Sequence, residues 1–253
     1  MVKYFGILAL LWFALGAQPA LAGFQGGVQV KTARHDNFNL ANGETVPAEE
    51  TVQTVMASLT WFKASSKQFV WLINGFYSYS EYDKYAHLSG ATASLLGGMF
   101  YRVNESNSMT FKLGKRERNY DDESLSLYQD DAHFAILQLS HRLSPTTMVN
   151  EKLKYEENEP HYASNKYAST GAQLWLEWRL ARGTSMSMGY SHTTREYKSR
   201  GEEYNFDEPY ISVSYSLARN MYTRIGYSKM KMTQSNGDRA YNSSAYLAIG
   251  FGF

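Results

Sequence analysis

The chain ends on YLAIGFGF, residues 246–253, a stretch in which every second side chain is large and apolar. The apolar positions are Leu247, Ile249, Phe251 and Phe253. A period of two predicts a β-strand with one apolar face and one face of small residues. The last residues of a soluble domain are usually frayed and polar, whereas here the terminal phenylalanine continues the pattern. We therefore expect the terminus to be a strand that is paired and built into the fold.

The composition of the 253 residues fits a chain of half-buried strands. Aromatic residues make up 15%, with 20 Tyr and 19 Gly, and the hydrophobic share of 43% argues against disorder. A mean hydropathy of −0.45 speaks against a bundle of transmembrane helices. The formal net charge is +1, so nothing indicates a nucleic-acid partner. The chain has no Cys, so disulfides cannot stabilise it.

Residues 1–22 are predicted to be a cleaved signal peptide. Lys3 gives a short positive region, YFGILALLWFALG (4–16) an apolar core, and Ala20–Ala22 a small-x-small cleavage site. The apolar run is shorter than the roughly 20 residues that a transmembrane helix needs. We expect the mature chain to begin at Gly23 and to leave the cytoplasm.

Alternation of period two recurs along the rest of the chain, as in SMSMGYSHT (185–193) and YISVSYSL (210–217). It predicts about twelve strands, with boundaries uncertain by a few residues. The predicted ranges are 24–34, 50–63, 68–80, 89–102, 108–120, 128–143, 147–157, 167–180, 184–197, 208–217, 221–232 and 241–253.

The connections between these strands alternate in length. Short ones fall at 64–67, 103–107, 144–146, 181–183 and 218–220, and longer polar ones at 35–49, 158–166, 198–207 and 233–240. Short turns on one side and long loops on the other are typical of outer-membrane β-barrels. We therefore predict an all-β fold for residues 23–253, a closed antiparallel transmembrane barrel. It would lie in the cell outer membrane, in contact with lipid and lipopolysaccharide.

The quoted terminus resembles the C-terminal assembly signal of bacterial outer-membrane β-barrel proteins. That signal has a terminal aromatic residue, a second aromatic residue two positions earlier and apolar residues at alternate positions. Phe253, Phe251, Ile249 and Leu247 occupy those places, whereas Ala248 stands where the family often has Gly. The resemblance implies that the barrel-assembly machinery of a Gram-negative cell is a partner during insertion.

Two stretches in the second half resemble hairpins of outer-membrane barrels that are encoded with exopolysaccharide biosynthesis systems. They are LQLSHRLSPTTMVNEKLKYEENEPHY (137–162) and MSMGYSHTTREYKS (186–199). The resemblance covers roughly residues 130–253 and implies a role in moving or anchoring a surface polysaccharide. No catalytic residues come with it.

With the apolar face turned outward, the parity of the strands places nine basic side chains in the lumen. They are Lys112, Arg116, Arg118, Arg142, Lys152, Lys154, Arg179, Arg195 and Arg224. The sequence places only two strand carboxylates beside them, Glu156 and Glu177, while Glu151 falls on the lipid-facing side. This excess of positive charge predicts a narrow pore or export channel for anionic solutes or polysaccharide.

A second interpretation of the lumen is structural. Arg and Lys side chains can satisfy a polar interior by pairing with Glu, with loop carboxylates neutralising the remainder. The protein would then be a sealed structural or surface-interaction barrel without transport activity. A barrel of about twelve strands is intermediate between small filled barrels and wide porins, so its width does not decide between the two.

We expect no enzyme, cofactor or metal site. His161 and Ser164 in HYASN (161–165) are spaced one residue wider than the H-x-S-N motif of lipid A deacylases, and no acidic residue is placed to orient the histidine. Ser191 and His192 are adjacent on a strand, so they project to opposite faces. The acidic stretches YDDES (120–124) and YQDDAH (128–133) are expected to be solvated loop charge rather than a Ca²⁺ site.

Overall fold

The computed structural model describes residues 22–36, 49–122, 130–160 and 165–253. These residues form twelve antiparallel strands that close into one barrel, which confirms the predicted fold. Residues 1–21 of the predicted signal peptide lie outside the described residues. The strands are β1 Ala22–His35, β2 Glu50–Ala64, β3 Phe69–Tyr82, β4 Gly90–Arg102, β5 Asn107–Tyr120, β6 Asp130–Ser144, β7 Thr147–Pro160, β8 Tyr167–Ala181, β9 Thr184–Tyr197, β10 Glu202–Ala218, β11 Met221–Gln234 and β12 Arg239–Gly252.

Each strand pairs with the next along the chain, and β1 pairs with β12 to close the cylinder. At this seam Gly27 lies opposite Gly252, and Gly26 and Phe253 exchange two backbone hydrogen bonds of 3.0 Å. Closure matters because an open strand edge in lipid would leave backbone donors and acceptors without partners. The terminal residue is therefore part of the hydrogen-bonded wall.

The outward face of the barrel is apolar and exposed. Leu95 is 63% exposed, Ile225 62%, Leu153 55% and Leu174 53%. So many large exposed apolar side chains form a patch far beyond what a soluble monomer presents. They form the band that meets the hydrocarbon of the membrane. No helix in the described part of the chain is long and apolar enough to cross a membrane.

Some strands run further toward the loop side than the sequence predicts. Residues 202–207 were expected in a loop, yet β10 begins at Glu202, and Phe206 pairs with Thr193 and Met232. Likewise β7 continues to Pro160. The backbone ladder needs no apolar face, so pairing continues where both faces are polar and the alternation disappears. The barrel wall therefore extends beyond its apolar band on the extracellular side.

The connection between β3 and β4, which includes a 3₁₀ turn at Ala86–Leu88, is anchored by one buried carboxylate. Glu50 is 1% exposed, and its Oε1 accepts hydrogen bonds from the backbone N–H groups of Thr51 (2.7 Å), Asp83 (3.0 Å) and Lys84 (3.2 Å). Its Oε2 accepts one from Tyr85 (3.0 Å). A charged acceptor gives stronger hydrogen bonds than a neutral one, so this loop is fixed to the barrel rim.

Candidate functional site

The extracellular half of the lumen contains a cavity of about 1070 Å³. Its wall includes Tyr120, Pro160 and Gln234, the last residues of β5, β7 and β11, so it lies at the loop end of the barrel. Six basic and three acidic side chains line this outer cavity, which gives it an excess of positive charge. The basic ones are Arg116, Arg118, Lys152, Lys154, Arg195 and Arg200, and the acidic ones Asp130, Glu156 and Glu208.

The structure places all nine basic residues named from the sequence on the inward face. Five of them line the outer cavity: Arg116, Arg118, Lys152, Lys154 and Arg195. The other four lie on the same face by register, Lys112 opposite Ile136, Arg142 opposite Met148, Arg179 opposite Ser185 and Arg224 opposite Ser214. Within the described ranges, β2, β3 and β12 add no basic side chain to this face. Lys31 on β1, opposite Thr54 and Ala248, is a further inward cation that the sequence prediction missed. Most of the positive charge lies on β5 to β9, with Arg224 and Lys31 outside that arc.

The lumen contains more strand carboxylates than the two that the sequence predicts. Asp130 and Glu208 also line the outer cavity, and Glu202 shares the inward face of β10. Glu202 was missed because residues 202–207 were assigned to a loop. Asp130 and Glu208 lie at the polar ends of predicted strands, where no apolar alternation marks the inward face. The charge excess in the lumen is thus smaller than the sequence indicates, although its sign is unchanged.

One group of charges in the outer cavity neutralises itself. Arg116 lies 3.2 Å from Oε1 of Glu156 and 3.5 Å from Oδ1 of Asp130, and the Lys154 ammonium contacts the other oxygen of Glu156. Tyr167 donates a hydrogen bond of 3.1 Å to Glu156, whose side chain is buried. We call this set the ion-pair network. It supports the structural interpretation for Arg116 and Lys154.

The ion-pair network depends on a small residue between its members. Arg116 is on β5 and Glu156 on β7, so β6 separates them. Ala132 on β6 lies opposite both Arg116 and Asn158 and has no exposed surface. Its methyl group lets the longer side chains meet above it. A larger residue here would separate the guanidinium from the carboxylate.

Three other cations in the outer cavity have no carboxylate partner. Arg118, Lys152 and Arg195 form no ion pair within 4.0 Å with any residue that the structure describes. The guanidinium of Arg195 lies 4.4 Å from the centroid of the Tyr167 ring and 5.2 Å from that of Phe206.

The guanidinium of Arg118 lies 4.6 Å from the ring of Tyr120. An aromatic face orients a guanidinium without cancelling its charge. The N–H groups of Arg118 and Arg195 are thereby positioned for an anion in the cavity.

A second cavity, of about 430 Å³, lies toward the periplasmic end. It is formed by β1, β2, β3, β11 and β12, and none of its lining residues is charged. Its inward polar side chains are Gln25, Gln29, Ser58, Thr60 and Tyr222, and Phe76 and Met56 add apolar surface. No sequence motif marks these residues, so they could not be recognised from the sequence.

Two tyrosines lie flat against the inner wall over glycines. Tyr222 on β11 lies opposite Gly250 on β12, and Tyr246 on β12 lies opposite Gly226 on β11. A methyl group on either glycine would overlap the tyrosine ring, so only a residue without Cβ allows this contact. The hydroxyl of Tyr222 reaches across β12 to Gln29 on β1, at 3.3 Å. The rings therefore line the lumen without crossing it.

The outward face of the extracellular rim carries its own ion pairs. Lys115 lies 2.9 Å from Glu117 and 2.8 Å from Asp131. In the neighbouring loop, side-chain hydrogen bonds to Glu157 and Glu159 raise the pKa of Lys166. These charges lie outside the lumen and do not contribute to a passage through it.

The lipid-facing carboxylate predicted at Glu151 lies where expected. It is opposite Leu139 and Leu174 on the outward face, half exposed, and 4.0 Å from Nε2 of His141. It is only four residues from the periplasmic turn that precedes Thr147. A charge near the interface costs much less than one at the middle of the bilayer.

The residues considered for catalysis do not meet in the described part of the structure. His161 and Ser164 lie outside the described residues. Ser191 lines the outer cavity, while His192 points outward and lies 2.9 Å from Asp207. Asp130 and Asp131 contact Arg116 and Lys115, respectively. No group of three or more metal-binding side chains is present among the described residues.

No protein-family model and no curated protein matches the chain. Among solved structures it is similar to an outer membrane channel from Pseudomonas putida F1, with a TM-score of 0.65 and 16% identity over 94% of this chain and 97% of that one. It is also similar to the KdgM porin in complex with disordered oligogalacturonate, with a TM-score of 0.54 and 8% identity over 90% and 99%. The chain has the fold of bacterial outer-membrane β-barrel proteins.

Proposed function

We propose that this protein is an outer-membrane pore that prefers anions. The observation that carries the proposal is the outer cavity, in which Arg118, Lys152 and Arg195 have no carboxylate partner among the described residues. A narrow lumen with low-dielectric walls focuses the field of such charges and raises the local concentration of counter-ions. Small anions would thus be enriched at the mouth.

The energetics of the lumen support water rather than a dry plug. An unpaired charge in a dry interior costs several kcal/mol of lost solvation. Arg118 and Arg195 lie against aromatic rings, which offset only part of that cost. Because the cavity of about 1070 Å³ has room for many waters, solvent and mobile anions can supply the rest.

A sealed structural or surface-interaction barrel is the second candidate. The ion-pair network favours it, since Arg116 and Lys154 are already neutralised by Glu156 and Asp130. The two cavities also share no lining residue. In this case the loops, rather than the lumen, would carry the activity.

We propose further that the anions carried by the pore are acidic saccharides. The KdgM porin, which has a similar fold, was solved with oligogalacturonate, and uronate sugars are anionic. The sequence resemblance to barrels encoded with exopolysaccharide systems points the same way. A partnership with such a system stays a prediction.

Reversal potentials in planar bilayers under a KCl gradient test the proposal. We expect the unmodified protein to prefer chloride, and Lys152→Glu with Arg195→Glu to shift the preference toward potassium. Lys229→Glu with Lys231→Glu is the matched control, because the pair makes the same charge change on the outward face of β11. Cation preference in the unmodified protein would refute an anion pore, and no conductance at all would leave the sealed barrel.

A further inference from the structure

The smaller, uncharged cavity has the composition of a saccharide site rather than an ion path. It is lined by amides, hydroxyls and aromatic rings, whereas the outer cavity is lined by cations. We infer that it is a sugar-binding subsite, and that the substrate of the pore is an acidic oligosaccharide whose carboxylates meet the outer cavity and whose sugar rings meet the inner one. This inference rests on the proposed function and locates where the sugar rings of its acidic saccharide substrate bind.

Tyr222 supplies a stacking surface in this subsite. One face of its ring covers Gly250, so the other face is turned toward the cavity that Tyr222 lines. The hydrogen bond to Gln29, at 3.3 Å, fixes the direction of the ring. The C–H face of a pyranose is apolar and packs on such a ring, which combines a flat apolar surface with a polar tip.

The polar lining of the subsite suits neutral hydroxyl groups. Gln25 and Gln29 each offer both donors and acceptors, and Ser58 and Thr60 offer hydroxyls. Thr60 is itself oriented by Asn74, whose Nδ2 donates a hydrogen bond of 2.7 Å to its Oγ1. Neutral donors and acceptors of this kind match the hydroxyl groups of a sugar. Chloride or phosphate would find only neutral donors on this surface.

A cation lies at the edge of the subsite. The guanidinium of Arg224 is 5.9 Å from the centroid of the Tyr222 ring, and its Nε donates a hydrogen bond of 2.8 Å to Ser214. A uronate stacked on Tyr222 would therefore have a positive charge beside its carboxylate. Neutral sugars would lack this interaction, and acidic peptides would lack the stacking.

Binding of three probes to the detergent-solubilised barrel tests this inference by calorimetry. The probes are hexagalacturonate, which is both a sugar and an acid, maltohexaose, which is a neutral sugar, and hexaglutamate, which is an acid without sugar rings. We expect hexagalacturonate to bind at least tenfold more tightly than either of the others. Equal binding of hexaglutamate or of maltohexaose would overturn the inference.

Variants locate the site. Tyr222→Val should weaken hexagalacturonate binding about tenfold and leave hexaglutamate unchanged, whereas Tyr222→Phe should retain most of the binding because the ring remains. If Tyr222→Val does not assemble, Gln29→Leu is used instead. It should also weaken hexagalacturonate binding and leave hexaglutamate binding unchanged. Unchanged binding in the assembled variants would refute the site.

The calorimetry needs no open channel. A barrel that conducts chloride but does not bind hexagalacturonate more tightly than the other two probes would contradict only the substrate class. A non-conducting barrel that binds hexagalacturonate would contradict only the proposed pore.

Discussion

The Tyr167 ring joins a free cation to the ion-pair network: its centroid lies 4.4 Å from the guanidinium of Arg195, and its hydroxyl donates a 3.1 Å hydrogen bond to Glu156. One side chain thus positions Arg195 and also satisfies a buried carboxylate. The two roles can be separated, because the ring serves the first and the hydroxyl the second.

Tyr167→Phe is expected to lower stability without changing selectivity. The ring that carries Arg195 remains, but the buried Glu156 loses one hydrogen bond, which costs about 1–2 kcal/mol. Urea unfolding in detergent micelles measures the free energy of unfolding, and reversal potentials measure selectivity. If Tyr167→Phe alters chloride preference as much as Arg195→Gln, the hydroxyl and ring roles are not separable.

Deleting Phe253 is expected to lower the amount of assembled, heat-modifiable barrel in outer-membrane fractions. The deletion removes both backbone hydrogen bonds to Gly26 at the β1–β12 seam as well as the terminal ring. Phe253→Tyr, which keeps the ring and the backbone, is the control and should assemble normally. Normal assembly of the deletion would count against the assembly-signal prediction.

Gly226→Ala is expected to destabilise the barrel by about 1–3 kcal/mol, because the new methyl overlaps the Tyr246 ring and forces it off the wall. Gly97→Ala is a matched control on β4, where an added methyl meets no atom within 4 Å. It should be neutral or slightly stabilising, since Ala loses less backbone entropy on folding. Equal effects of the two substitutions would show that the Tyr–Gly contact is unimportant.

Glu50→Ala is expected to free the loop between β3 and β4, because four backbone N–H groups lose their shared acceptor. Cleavage by trypsin after the exposed Lys84 should become at least tenfold faster, as local opening costs less. Glu81→Ala, at a nearby exposed position, should leave the cleavage rate unchanged. Slow cleavage in Glu50→Ala would mean that other contacts hold the loop.

The parts of the fold that follow from alternation could be predicted, and the parts that follow from register could not. Parity alone puts Lys152 and Arg195 on the inward face, because side chains of a strand alternate strictly. It cannot pair Arg116 with Glu156, which are 40 residues apart and on strands separated by β6. For the same reason the sequence gives no sign that Tyr222 covers Gly250.

The extracellular ends of the strands were not predicted correctly, for a different physical reason. Outside the lipid both faces of a strand are polar, so the hydrophobic signal stops before the hydrogen-bonded ladder does. This is why residues 202–207 of β10 were predicted as loop and Glu202 was missing from the predicted lumen. Glu208, at the polar start of the predicted strand 208–217, was missed because no apolar alternation there marks its face.

Eight of the nine predicted basic side chains lie on the arc from β5 to β9, whereas the inward faces of β2, β3 and β12 carry none in the described ranges. Although Arg224 on β11 and Lys31 on β1 lie outside this arc, the lumen is polarised across its width as well as charged. A transverse field of this kind exerts a torque on any permeant with separated charge. A solute with an acidic end would travel with that end turned toward β5–β9 and its neutral side toward β2 and β3. The barrel would then distinguish molecules of equal size and charge by where on their surface the charge is carried.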